Sequence, residues 1–284
     1  DAARAVVVSG DYVYVVGDTD FTVNGDAIVV SGQAFIAKYD SAGNIQWGAP
    51  VGIIAAGAAS ARGAAVDAGG NVYVTGYAAG SLDAQVNAGG EDVFLIKYNA
   101  AGSRQWTRLW GNTTHNYGYD VAVFDSDTLY VVGKTYGVSF EGQTVSGDAD
   151  AFVTKLNASG VPQWTRLAGG PGDSDGAYAA AVDGSGNVFV AGEWWVTALS
   201  ISDAFVMKFN ALDGSELWAA PTFLSTQACD IARGVAVDGS GNIYLTGYTH
   251  GDLPDMDTRP HLGGFDAFLA KVDSSGVLQW TRVW

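Results

Sequence analysis

One motif returns five times along this chain. An apolar strand bearing Lys38, Lys97, Lys155, Lys208 or Lys271 is followed nine or ten residues later by Trp47, Trp106, Trp164, Trp218 or Trp280. A second marker, the Gly that closes an apolar run, recurs at Gly17, Gly76, Gly133, Gly192 and Gly247, with steps of 59, 57, 59 and 55 residues. A fixed period of this length is the mark of a repeat architecture, in which each unit hides its apolar faces against its neighbours. Residues that keep the period belong first to the scaffold, and residues that break it are the candidates for function.

The last unit is the clearest. It reads Arg233-Gly-Val-Ala-Val-Asp238, Gly-Ser-Gly, Asn242-Ile-Tyr-Leu-Thr-Gly247, a variable stretch, Asp266-Ala-Phe-Leu-Ala-Lys271, Ser-Ser-Gly, then Leu278-Gln-Trp-Thr-Arg282. Four short β-rich segments separated by Gly, Asp, Ser and Asn turns predict a four-stranded antiparallel meander. Strands such as Val72-Tyr-Val-Thr are apolar on both sides, which predicts sheets covered on both faces. The resulting expectation is an all-β chain: one five-bladed β-propeller over 1–284, with contiguous four-stranded blades at about 1–53, 54–112, 113–170, 171–222 and 223–284. Ring closure would rest on the first unit packing against the fifth. An incomplete array from a longer protein is the alternative.

The turns Asp67-Ala-Gly-Gly-Asn71, Asp183-Gly-Ser-Gly-Asn187 and Asp238-Gly-Ser-Gly-Asn242 are nearly uniform, as are those at Asp40, Asn157 and Asp273. Gly and Asn are expected to supply their positive φ angles. The other connections vary in length and content, so one rim is monotonous and the other diverse.

Charge narrows the partners. With 30 acidic against 14 basic residues the formal charge is −16, and such a surface repels a phosphate backbone. No apolar run approaches the roughly 20 residues of a membrane helix. The single Cys229 allows no internal disulfide and no cysteine metal cluster. The chain opens at Asp1 inside a predicted strand, which fits a processed or trimmed start.

These units resemble the bacterial and archaeal SBBP-type β-propeller repeat, whose pattern is similar to D-A-F-x-x-K-x-x-x-x-G-x-x-x-W-T-R followed by a-V-D-x-x-G-N-x-Y-V-T-G. The segments Asp266-Ala-Phe-Leu-Ala-Lys271, Trp280-Thr-Arg282 and Val237-Asp238 to Gly247 carry the likeness. Trp47-Gly-Ala-Pro50 and Trp218-Ala-Ala-Pro221 depart from it, lacking Thr-Arg. The resemblance implies a secreted or cell-surface protein with a propeller domain, part of a larger surface protein, and brings no reaction with it.

Five of the six lysines keep the repeat position and need partners if buried. The repeating Asp92, Asp150, Asp203 and Asp266, or the Arg and Asp residues at the inner strand, are expected to supply them within or between units. Asp1, Asp175 and Asp230 share another repeat position, where they would ring a channel mouth or pair with Arg4 and Arg233.

The residues that break the period lie on the diverse rim. Glu193-Trp194-Trp195 replaces the single residue after the strand-ending Gly, and two adjacent indoles suit stacking on a sugar or peptide. His115, Tyr117 and Tyr119 form a polar-aromatic segment at a connection, with Tyr136 and Tyr248 as further aromatic candidates. Asp252, Asp255 and Asp257 offer oxygens to a possible calcium ion, although their spacing is not that of an EF-hand.

These observations favour a non-enzymatic binding module that recognises a glycan or a protein partner, with no nucleic acid and no membrane insertion. The alternatives are a glycoside hydrolase or lyase pairing Glu193 with Asp175 or Asp230, and a purely architectural spacer.

Overall fold

The computed structural model describes residues 1–20, 33–51, 57–196, 198–226, 228–251, 253 and 264–284. Five four-stranded antiparallel meanders follow one another. The first contains Ala2–Ser9, Tyr12–Thr19, Gln33–Asp40 and Ile45–Pro50. The second contains Ala59–Val66, Val72–Ala78, Asp92–Tyr98 and Arg104–Trp110. The third contains Asn116–Val123, Thr128–Tyr136, Ala149–Asn157 and Pro162–Ala168. The fourth contains Gly176–Val182, Val188–Val196, Ile201–Phe209 and Thr222–Leu224, and the fifth contains Asp230–Val237, Ile243–Thr249, Asp266–Val272 and Leu278–Val283. A small ribbon, Ser139–Phe140 with Gln143–Thr144, is inserted in the third sheet's variable connection.

Successive sheets pack face to face, with their first strands side by side. Four apolar cores result. Tyr14 and Ile36 meet Val72, Val74 and Phe94 between the first two sheets. Tyr73 and Leu95 meet Val131 and Phe152 between the second and third. Tyr130 and Val153 meet Val190 and Phe205 next, and Phe189 and Val206 meet Leu245 and Phe268 last. Each middle sheet therefore buries both faces, as its doubly apolar strands predict. Among the described residues the expected seating of the first sheet on the fifth is not found. Val6 and Val8, on the face of the first sheet turned away from the second, are 66% and 65% exposed.

Each first strand carries a β-bulge at the same place, leaving one extra residue: Arg4, Arg62, Tyr119, Tyr178 or Arg233. The bulge explains the strand-ending glycines. A Cβ on Gly17, Gly76, Gly133, Gly192 or Gly247 would lie 1.9 Å from a carbonyl oxygen of the bulged strand. The rhythm of these glycines thus records five bulges, which re-aim one side chain per sheet.

Three expectations need correction. Glycines supply the positive φ in the uniform turns, Gly70, Gly186 and Gly241 like Gly43, Gly160 and Gly276, whereas Asn71, Asn187 and Asn242 donate side-chain hydrogen bonds to Asp67, Asp183 and Asp238. The boundary between the fourth and fifth units, expected after residue 222, cuts the strand Thr222–Leu224. The lysines do not use the acids of their own strand, which stand five residues away on the opposite face. Lys38 and Lys155 donate to carbonyl oxygens of Ala100 and Ala211 in the following sheet, and Lys208 pairs with Asp183 at 3.0 Å.

Candidate functional site: an aromatic belt across four sheets

The bulged residue stands beside the residue after the strand-ending Gly, and the two meet in four of the five sheets. Arg4 pairs with Asp18 at 2.9 Å. Arg62 donates to the Tyr77 hydroxyl, Tyr178 donates to Glu193, and Arg233 Nη2 donates to the Tyr248 hydroxyl at 3.1 Å. One backbone irregularity, repeated with the fold, therefore presents a row of polar-aromatic pairs along one end of the array.

From the second sheet to the fifth, these pairs join into a continuous belt. The ring centroids of Tyr77 and Tyr117 lie 4.8 Å apart, those of Tyr117 and Tyr119 6.1 Å, and those of Tyr119 and Tyr178 5.0 Å. The Arg233 guanidinium sits 3.9 Å over Tyr178, a cation–π contact between neighbouring sheets. Tyr248 meets Phe265 at 5.1 Å, and Phe265 stacks on His250 at 4.2 Å. Tyr136 packs edge-on against Tyr117 and His115, while His115 contacts Glu91.

Charges of both signs are threaded through these rings. Lys134 donates to the Ser174 carbonyl oxygen at 2.8 Å and approaches Glu193 at 3.5 Å. Burial, with Glu91 beside it, pushes the Tyr117 hydroxyl up to about 12. Burial and Glu193 raise Tyr178 as well. Both remain neutral hydrogen-bond donors at physiological pH.

The structure thus gathers Glu193, His115, Tyr117, Tyr119, Tyr136 and Tyr248 into one surface. Trp194 is elsewhere, half-buried and packed edge-on against Phe205 and the exposed Phe223 at the margin of the core between the third and fourth sheets. Two adjacent strand residues point to opposite faces, so the two indoles cannot form one platform. The backbone amide of Trp195 donates to Asp175 at 2.7 Å. Asp252, Asp255 and Asp257 lie outside the described residues. Among the described residues no group of three or more His, Cys, Asp or Glu is placed to hold a metal ion.

Asp175 and Asp230 do not ring an open mouth. Both are fully buried. Asp175 accepts from the amides of Gly170 at 2.9 Å and Trp195, while Asp230 accepts from the Thr226 amide at 2.8 Å and from the Thr249 hydroxyl. They tie the connection between sheets to the first strand that follows it. Burial raises both, Asp175 to about 7. Asp120, on the third sheet's first strand, accepts from the Ala180 amide of the fourth at 3.0 Å and is raised by burial to about 6.

Arg62, Tyr77, Glu91, Tyr178 and Arg233 complete the belt and were not among the candidates from sequence. Their signal was the alignment of Arg4, Arg62, Tyr119, Tyr178 and Arg233 at one repeat position, obscured because a bulge breaks strand alternation.

Comparison with known proteins agrees with the architecture. The β-propeller repeat model named SBBP matches residues 163–193 and 226–254. The first match runs from the last strand of the third sheet into the second strand of the fourth, so the sequence unit straddles two sheets. An uncharacterized WD repeat-containing protein of Acanthamoeba polyphaga mimivirus is 22% identical over 87% of this chain and 24% of its own length. The regulatory protein FlaEY of Caulobacter vibrioides is 29% identical over 47% of this chain and 15% of its own length. The chain therefore spans a quarter or less of these relatives. Among solved structures, an ulvan lyase bound to -[GlcA(1-4)Rha3S]- superposes with a TM-score of 0.59 at 10% identity, covering 98% of this chain and 68% of that one. The same enzyme in a second structure gives 0.57. At that identity the likeness is one of fold. Its repeated strands and stacked sheets agree with the family model, which matches two stretches of the chain to the SBBP β-propeller repeat.

Proposed function

We propose that the five sheets are consecutive blades of one β-propeller, and that the protein is a non-enzymatic binding module, secreted or at the cell surface, that holds a saccharide chain against the aromatic belt. The observation that carries this reading is the unbroken run of ring and guanidinium contacts from Tyr77 to Phe265. Rings of this kind offer apolar area and polar tips together, which suits a ligand with apolar faces and hydroxyl edges. The interleaved Arg62, Glu91, Glu193 and Arg233 supply donors and acceptors for those edges.

Catalysis is not the favoured reading. A glycosidase needs two carboxyl groups flanking the scissile bond. Of the pairs expected here, Asp175 and Asp230 are sealed beneath the connections, and Glu193 is engaged by Tyr178 and Lys134. The ulvan lyase lends a fold, not a reaction.

Glycan-array screening followed by calorimetry tests the proposal. Arg233→Ala and His115→Ala, both at exposed positions, are expected to weaken a saccharide hit by about tenfold or more, the loss of a good contact, while costing no more than about 1 kcal/mol of stability, the scale of an exposed cation–π contact. A hit indifferent to both substitutions would remove the belt as the binding surface. Capture of a polypeptide in place of a saccharide would keep the surface and change the ligand.

A further inference from the structure

Along the row of bulges, most charges meet an opposite charge. Arg4 has Asp18, and Lys134 reaches across to Glu193. Arg233 feels the Glu193 carboxylate as well as lying over Tyr178. Arg62 is different. Among the described residues its guanidinium donates only to the neutral Tyr77 hydroxyl, over whose ring it lies at 5.2 Å, and its Nε is buried with no acceptor. A guanidinium presents five N–H donors in a fork that fits a carboxylate or a sulfate. In a chain of 30 acidic residues, this one is left largely unmatched. Arg62 belongs to the second sheet, which packs on the first and on the third, so its isolation is a feature of the interior of the array.

The phenols around it have protons to give. Tyr77 packs on Tyr117, and Tyr117 meets Tyr119 and Tyr136 with ring centroids 6.1 and 6.0 Å away. The Tyr77 hydroxyl accepts from Arg62, while the hydroxyls of Tyr119 and Tyr136 make no hydrogen bond among the described residues. All three side chains are half-buried at the surface. Burial raises the Tyr119 pKa, with Tyr136, Tyr77 and Tyr117 adding to the effect and Arg62 opposing it, so the phenol stays a neutral donor at physiological pH. Glu91 borders the same group, and its charge is engaged by His115 and by the Tyr117 hydroxyl at 3.4 Å. An oxyanion placed among these side chains meets donors and a cation.

We propose that Arg62, Tyr77, Tyr119 and Tyr136 form an oxyanion subsite, and that the saccharide held by the belt is an acidic one, whose carboxylate or sulfate group docks there. The inference rests on the saccharide reading of the belt and narrows it to a class. Carboxylate and sulfate share the chemistry that matters: paired oxygens that accept from the guanidinium fork, and a charge that strengthens each phenol hydrogen bond. A neutral chain would offer this fork only hydroxyl oxygens, which are weaker acceptors. The net charge of −16 sharpens the argument, because the molecule as a whole repels a polyanion. An acidic chain is therefore held by local contacts or not at all. The run of rings that continues from Tyr77 favours sugar faces over the side chains of an acidic peptide.

Calorimetry with matched probes is the test. Uronate-bearing oligosaccharides are compared with the same chains after reduction of each carboxyl group to a primary alcohol, and sulfated oligosaccharides with their desulfated forms. An acidic form is expected to bind about tenfold or more tightly than its neutral partner, the scale of hydrogen bonds to a charged group. Which of the two pairs shows the preference names the oxyanion. Arg62→Gln should abolish the preference, and Arg62→Lys, which keeps the charge and loses the fork, should restore part of it. Arg166→Gln removes the same charge from the outer strand of the third sheet and should leave the preference intact. Tyr136→Phe deletes only a hydroxyl that makes no bond within the described fold, so it tests the subsite even where an Arg62 variant folds poorly, and it should reduce the preference by about threefold or more. Equal affinity for acidic and neutral forms would overturn the subsite and leave the belt as a saccharide surface, whereas failure of every saccharide to bind would remove both. Capture of polyglutamate through Arg62, with no acidic saccharide bound, would also overturn the proposal by giving the arginine to a peptide.

Discussion

Asp175 places a carboxyl group where solvent does not reach, held by two backbone amides. Burial outweighs those hydrogen bonds and raises its pKa to about 7, and Asp120 follows the same logic at about 6. An unfolded chain titrates its aspartates near 3.9, so between about pH 4 and pH 7 the native state holds protons that the unfolded state has released. Stability contributed by these groups is therefore full at the acid end, falls as pH rises through that window and levels off above it. Urea midpoints measured from about pH 5 to about pH 8 should show this decline. Asp175→Asn should flatten it at a fixed cost, because its amide group can satisfy only one of the two N–H donors. Trp194 makes a different residue-scale case. Its indole packs on Phe205 and Phe223, so Trp194→Ala should lower stability by about 2–3 kcal/mol, toward the low end for large-to-small core changes. Saccharide binding should survive. A loss of binding with unchanged stability would return Trp194 to the recognition surface.

At the scale of the element, the bulge and its glycine are one device. Gly76 and Gly133 face carbonyl oxygens 1.9 Å from where a Cβ would stand, and both are strand residues with ordinary negative φ. Alanine there must push the bulged strand aside. A stability loss of about 3 kcal/mol or more is expected from such overpacking against backbone, and the displaced Arg62 or Tyr119 should weaken the belt as well. Gly43→Ala meets open space and bears only the cost of its left-handed backbone, about 1 kcal/mol. Thermal melts of the three variants would separate the two effects, and equal losses would deny the bulge its role. The turns illustrate what is legible at this scale. Asp67, Asp183 and Asp238 were readable as turn residues because their carboxylates accept local amides. The partners of Lys38 and Lys155 were not, because they are carbonyl oxygens of the next sheet, more than 50 residues away.

For the whole molecule, stability of stacked repeats is a sum of unit terms and nearest-neighbour contacts. The second, third and fourth sheets each share two of the four cores, whereas the first and fifth share one each. Amide hydrogen exchange should therefore be slowest in strands such as Val72–Ala78 and Thr128–Tyr136, and faster in Tyr12–Thr19 and Ile243–Thr249. Uniform protection across all five sheets would contradict this gradient. The belt also belongs to this scale. It draws on the second to the fifth sheets, and neighbours such as Tyr119 and Tyr178 are brought to 5.0 Å only by the packing of one sheet on the next.

The sequence by itself determined the unit. Period, alternation and turn chemistry are local, so five meanders, their order and nearly all their boundaries could be read from Lys38 to Trp280 before any contact was known. Which residues become a surface was decided by tertiary structure alone. Trp194 and Trp195 sit side by side in the chain but on opposite faces of a strand, while Arg233 and Tyr178 are 55 residues apart and stack. A bulge shifts side-chain direction by one position without changing composition, and the open or covered state of an end sheet depends on what lies across from it. Neither quantity is written in the order of residues within a single unit.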